Sequence, residues 1–204
     1  MTDDKALKLQ DLGFKILRTR HVAIRSFESL IGQMIAALPA VKFGAVHVKP
    51  LEISKNRALV ANNRDFSCFM DISDWDAIDI QWWCDHIVGA KRSLTPLPIT
   101  KTIFSDASLE GYGFFDETEN RKVGGRWSST EKRQHINELE IQAAHIALRA
   151  CCQDLFHCHI KLFLDSQVAI ACIRNEGSTK SLTCQAATRK LILFCEAHDL
   201  DLSL

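Results

Sequence analysis

Ile103-Phe104-Ser105-Asp106-Ala107-Ser108, followed at once by Gly111-Tyr112-Gly113-Phe114-Phe115, is the stretch whose reading decides the fold. A short apolar run carries one carboxylate near its end, and a small-residue turn leads into a second apolar run. That pattern reads as two strands joined by a tight turn. A third strand follows at Lys122–Trp127, after a polar turn at Asp116–Asn120. A helix over residues 137–150 comes next, Ala-rich and apolar nearly all round, hence buried. Ile160–Leu164 makes a fourth strand ending in Asp165, and a short helix over 166–175 is stopped by Gly177. Leu182–His198 forms a longer helix, and Asp201–Leu204 opens a fifth strand. The order implies an α/β architecture, a mixed sheet of three antiparallel strands plus parallel strands with flanking helices.

Upstream the pattern is mainly helical. Phe27, Leu30, Ile31, Met34, Ile35 and Leu38 recur at three- and four-residue steps, predicting an amphipathic helix over 26–39 capped by Ser26 and ended before Pro39. A second helix is expected over 50–62. A third is expected over 74–89, where Ser73 or Asp74 caps, Trp75, Ile78, Trp82 and Trp83 form an apolar face, and Gly89 stops it. The tryptophans read as core anchors rather than a base-stacking surface. Residues 1–25 partly alternate around Gly13, which suggests a strand or hairpin end. Ser93-Leu94-Thr95-Pro96-Leu97-Pro98 reads as a linker, dividing the chain into a region 1–95 and a domain 99–204.

The bulk composition excludes several classes. The 204 residues are 47% hydrophobic and 25% charged, with a formal net charge of zero, so no basic excess announces a nucleic-acid partner. No apolar run approaches the ~20 residues that span a bilayer. Met1-Thr2-Asp3-Asp4-Lys5 does not resemble a secretory signal, and the eight cysteines lie in apolar or helical context. Free thiols in an intracellular compartment, cytoplasm or nucleus, are the expectation, with no membrane partner.

Three carboxylates stand out as a set. If the helix over 137–150 is a right-handed crossover, the first and fourth strands are neighbours, and Asp106 and Asp165 share the C-terminal edge of the sheet. Glu140 lies near the start of that helix, on the face carrying Ala144 and Ala147. A carboxylate on an apolar face beside two others is costly to ionise unless cations neutralise it. Hard oxygen donors without thiol or imidazole suit Mg²⁺ or Mn²⁺. Singly, Asp106 also reads as a turn residue, Glu140 as a favourable helix N-terminal charge and Asp165 as a cap. His157-Cys158-His159 with Cys151 and Cys152 lacks the two separated ligand pairs of a zinc site.

These pieces carry a resemblance. Ser105-Asp106-Ala107-Ser108 with Gly111-x-Gly113, Gly125-Arg126-Trp127-Ser128, His135-Ile136-Asn137-Glu138-Leu139-Glu140 and Leu164-Asp165-Ser166-Gln167-Val168-Ala169 together resemble a type 1 ribonuclease H domain. The G-R-W-S and H-I-N-x-L-E pieces resemble the ribonuclease H of retrotransposon reverse transcriptases, the DIRS type in particular. More weakly, Ser29-Leu30-Ile31-Gly32-Gln33, Lys49-Pro50-Leu51-Glu52 and Gln81-Trp82-Trp83 are similar to the thumb and connection region after the polymerase palm. The resemblance implies a ribonuclease H-like fold and cleavage of the RNA strand of an RNA–DNA hybrid. It implies two Mg²⁺ or Mn²⁺ ions on Asp106, Glu140 and Asp165, and the polymerase part of the same polyprotein as partner. Glu140 rather than Glu138 is implied by the E-[LI]-x-A pattern of Glu140-Ile141-Gln142-Ala143. Asn137 corresponds to a polar residue that touches the hybrid in the minor groove, and Ser108 and Ser166 to backbone or phosphate contacts. The family's fourth carboxylate, in an N-x-x-A-D element after the fifth strand, has no match before Leu204, so a C-terminally truncated domain is expected. The alternatives are a catalytically incomplete hybrid-binding or scaffold fragment of a decayed element, or an integrase- or resolvase-like nuclease acting on duplex DNA.

Overall fold

The computed structural model describes residues 2–93 and 95–204. Met1 and Leu94, the latter inside the stretch read as a linker, lie outside the described residues. The chain falls into two compact units, Met1–Ser93 and Leu94–Leu204.

The first unit contains helices α1 (Asp3–Thr19), α2 (Ile24–Ala37), α3 (Gly44–Ala61) and α4 (Asp74–His86). A small antiparallel ribbon of β1 (His21–Ala23) and β2 (Phe69–Asp71) joins them, with His21 opposite Asp71. The expected strand near the N-terminus is a helix. Ala6, Leu9, Gly13 and Ile16, spaced by three or four, form its buried face, and this helical period outweighs the local alternation. Gly13 is no turn: a Cβ there would stand 2.5 Å from the Cys84 Sγ, so it lets α1 lie close against α4.

α2 begins two residues before Ser26, with Ala23 at its N-cap and no side-chain cap. α3 starts well before residue 50 and carries Pro50 inside it. One intrahelical hydrogen bond is lost there, while Val46, Val48 and Leu51 remain buried. α4 opens on a full capping box: the Ser73 hydroxyl accepts from the Asp76 N–H, and the Asp76 carboxylate accepts from the Ser73 N–H. Its buried stripe is Ala77, Ile80, Trp83 and Cys84, whereas Trp75 is 80% exposed and Ile78 56% exposed. Of the four residues expected on the apolar face, Trp83 is buried and Trp82 half-buried, whereas Trp75 and Ile78 face solvent. Trp82 is sandwiched between the rings of His47 and His86, at centroid distances of 4.0 and 4.2 Å.

The second unit is α/β, with a five-stranded ribonuclease H-like mixed sheet. Its strands are β3 (Ile99–Ala107), β4 (Gly111–Asp116), β5 (Arg121–Arg126), β6 (Cys158–Phe163) and β7 (Leu200–Ser203), in the order β5-β4-β3-β6-β7. β3–β4 and β4–β5 are antiparallel, and β3–β6 and β6–β7 are parallel. Helix α5 (Ile136–Cys152) packs on β3 and β4, α7 (Leu182–Ala197) packs on α5, and α6 (Gln167–Arg174) packs on both helices. Ile103, Leu139, Ile141, Ile160 and Leu162 are fully buried, each side chain contributing about 1.5–3 kcal/mol. Lys101 and Asp116 form a buried ion pair at 2.8 Å, tying the start of β3 to the end of β4.

Candidate metal centre

Strand register brings the two aspartates together. Phe104 on β3 pairs with Phe163 on parallel β6. Asp106 and Asp165 each lie two residues past that pair, so both reach the same edge of the sheet. Glu140 is the fifth residue of α5, whose start is set by His135: its ring Nδ1 accepts from the Asn137 N–H at 3.2 Å. Ala143, Ala144 and Ala147 are wholly buried beside Glu140, so nothing bulky holds the helix away from the sheet.

One carboxylate oxygen from each of Asp106, Glu140 and Asp165 lies within 4.8 Å of the others. Among the described residues this is the one group of His, Cys, Asp and Glu side chains that converges in this way. The two aspartates are exposed, whereas Glu140 is 6% exposed and its Oε2 has no hydrogen-bond partner. Burial, reinforced by the charges of Asp165 and then Asp106, pushes the Glu140 carboxyl up to about 7. A buried carboxylate with one unpartnered oxygen, beside two like charges, is an expensive arrangement without a cation. A small divalent cation, with metal–oxygen distances of about 2.0–2.1 Å, suits such a donor set. All three donors are hard oxygens, so the residues fit Mg²⁺ or Mn²⁺.

The other residues singled out in the sequence are placed as follows. Asn137 is half-buried, one helical turn before Glu140 on α5. The Ser108 hydroxyl accepts from the N–H groups of Glu110 and Gly111, closing the β3–β4 turn. The Ser166 hydroxyl accepts from the Ala169 N–H and caps α6. Both serine hydroxyls thus serve the backbone beside the aspartates. His157 bonds Asp199, and His159 bonds the Leu97 carbonyl and the Ser203 hydroxyl. All eight cysteines are free thiols.

Two hollows flank Asp106. One, of about 500 Å³, is lined by Phe104, Phe115, Phe163, Leu164, Asp106 and Asp165. The other, of about 350 Å³, runs along the β4–β5 hairpin past Gly113 and Arg126. Asp106, Gly113 and Gly124 pair in one row of the sheet, and Arg126 is two residues on from Gly124.

The fold and the three convergent acids define a ribonuclease H-like α/β unit with a candidate divalent-cation centre. No family model matches the chain, and no curated protein matches it. Among solved structures it is similar to the foamy viral protease-reverse transcriptase dRH in complex with double-stranded DNA, at 13% identity and a TM-score of 0.35. That alignment covers all of this chain and 34% of the other, so the chain spans about a third of that protein's length. No helix among the described residues is long and apolar enough to cross a membrane.

Proposed function

We propose that residues 99–204 form a metal-dependent endoribonuclease that cuts the RNA strand of an RNA–DNA hybrid. In the same proposal residues 1–95 are a thumb- and connection-like region of a retrotransposon reverse transcriptase, of DIRS type, working beside its polymerase part inside the cell. The observation that carries the nuclease assignment is the convergence of Asp106, Glu140 and Asp165, with Glu140 buried and its Oε2 unpartnered. The motifs around those three residues supply the substrate class.

Asp106, Glu140 and Asp165 would hold two Mg²⁺ or Mn²⁺ ions, which supply activation of a water and charge neutralisation at the leaving oxygen. The protein's own share is positional. The β3–β6 register holds the two aspartates at one solvent-facing edge, open to a phosphodiester. Burial and the two neighbouring aspartates make the charged form of Glu140 costly, so positive charge in the site would favour it and couple the deepest ligand to loading. Asn137, one turn earlier on α5, would hydrogen-bond a ribose 2′-hydroxyl, which separates RNA from DNA.

The test uses labelled RNA–DNA hybrid, RNA duplex and DNA duplex of one sequence, incubated with the chain in Mg²⁺ and in EDTA. The expected result is cleavage of the RNA strand of the hybrid alone, abolished by EDTA. Cleavage of the DNA duplex, or no cleavage of any substrate in Mg²⁺ or Mn²⁺, overturns the assignment.

A further inference from the structure

The side of α5 turned away from the metal centre carries a second cluster of titratable side chains. His145 and Arg149 stand about 140° and 180° round the helix from Glu140, and Arg149 lies roughly 13 Å further along it. Four residues apart, the two share one face of α5. There α7 packs against α5, and the His145 ring meets the Phe194 ring at a centroid distance of 6.1 Å. Lys190 is four residues before Phe194, on the same face of α7. His145 is half-buried in this groove, and Arg149 and Lys190 stand exposed at its rim.

None of the three makes a hydrogen bond or an ion pair among the described residues. The carboxylates of the two helices are directed elsewhere. Glu138, two turns before His145, takes the Gln142 amide, and Glu140 belongs to the metal centre. Glu196 is two residues past Phe194, about 200° round α7 from that ring. Arg149 and Lys190 therefore bear on His145 unopposed. Burial, then these two charges, pushes the imidazole down to about 4, so it is neutral at neutral pH and keeps a ring N–H to donate. The groove thus offers a guanidinium fork, an ammonium and an imidazole N–H, with the Phe194 ring as an apolar wall.

These donors come from two helices and approach from different sides. A planar carboxylate presents two oxygens, whereas a phosphate presents three strong acceptors in different directions and carries the charge that relieves the repulsion. We infer that the α5–α7 groove is an anion site that takes a phosphate group, held by Arg149, Lys190 and His145. It lies apart from the carboxylate cluster and does not rest on the nuclease reading. Free phosphate and the phosphate of a nucleic-acid strand share this chemistry, and the experiment separates them.

The test is NMR of the chain with isotope-labelled histidine and arginine, in EDTA at neutral pH. It is titrated with inorganic phosphate, with single-stranded oligouridylate and with oligoglutamate of matched charge. A saturable shift of the His145 ring and Arg149 side-chain signals is expected with a phosphate ligand and not with oligoglutamate. Arg149→Gln combined with Lys190→Gln should weaken it about 10-fold or more, through loss of two charge-assisted contacts. The thermal midpoint of that variant should hold or rise, because repulsion is relieved and no partner is lost. Equal affinity per phosphate for the two phosphate ligands assigns the site to a small free phosphate. Binding of the strand about 10-fold or more tighter, and weakening as salt rises, assigns it to nucleic acid. No saturable shift with either phosphate ligand, an equal response to oligoglutamate, or unchanged affinity in the double variant overturns the site. A fall in the thermal midpoint of the double variant also overturns it, since the two cations would then have partners within the fold.

Discussion

Glu140→Gln should make the metal-free protein more stable at alkaline pH, although it removes a proposed ligand. Burial and the two neighbouring aspartates raise the Glu140 carboxyl from the ordinary 4.5 to about 7 in the folded state. The folded form therefore binds more protons than the unfolded form between those values, and stability falls as pH rises through that window. Below about 4.5 the group costs nothing. Above about 7 the full penalty applies, about 3 kcal/mol at about 1.4 kcal/mol per pH unit. Glutamine cannot ionise, so it escapes this penalty. It retains a pH-independent cost of about 1–3 kcal/mol for a buried amide that lacks partners. The cost of the amide cancels when the variant's difference from wild type is compared at two pH values. Urea unfolding in EDTA at pH 5 and pH 8 should show that difference shifting toward the variant by about 2–3 kcal/mol. Mg²⁺ should restore the wild type at pH 8 and leave the variant unchanged. A difference that is the same at both pH values would refute the placement of Glu140 in a desolvated, like-charged cluster.

Other perturbations separate the fold from the site. Lys101→Met leaves the Asp116 carboxylate, 0% exposed, without its partner and should cost about 3–5 kcal/mol, whereas Lys101→Met with Asp116→Leu should recover most of the loss by urea unfolding. Gly111→Ala drives a Cβ into the Gly125 carbonyl and should cost about 2 kcal/mol or more, while Gly113→Ala should be neutral or mildly stabilising in the same assay. Ser73→Ala removes the capping box of α4 and should lower stability by about 1 kcal/mol, seen as loss of helix signal at a lower temperature.

The second unit was largely legible because its strands and helices are marked by local chemistry. The Asp116–Asn120 turn, the apolar runs of the strands, the Ala-rich pattern of α5 and the Gly177 stop all act within a few residues. The aspartate pair then followed from one parallel register. The N-terminal unit was less legible because its packing is decided at a distance. Gly13 reads as a breaker unless the Cys84 thiol behind it is known, and Pro50 reads as a helix start unless the surrounding burial carries the helix past it. Trp75 and Ile78 look like core by type, yet α4 buries Ala77, Ile80 and Cys84 beside the expected Trp83 and leaves those two in solvent. Ser108 and Ser166 show a further limit, since a serine beside an aspartate reads equally as a phosphate ligand or as a turn or cap donor. In the structure both hydroxyls hold backbone. The freedom around Gly113 could not be read at all without knowing where the Val123 carbonyl lies across the hairpin.

The most direct measurement is the rate of RNA cleavage in an RNA–DNA hybrid by the chain and by Asp106→Asn, prepared side by side and matched in thermal stability, in Mg²⁺ at pH 8. The account predicts cleavage by the wild type and a loss of about 100-fold or more in the variant, the order expected when a group that stabilises charge at the reacting centre is removed. Equal rates, or equal inactivity in both Mg²⁺ and Mn²⁺, would contradict it.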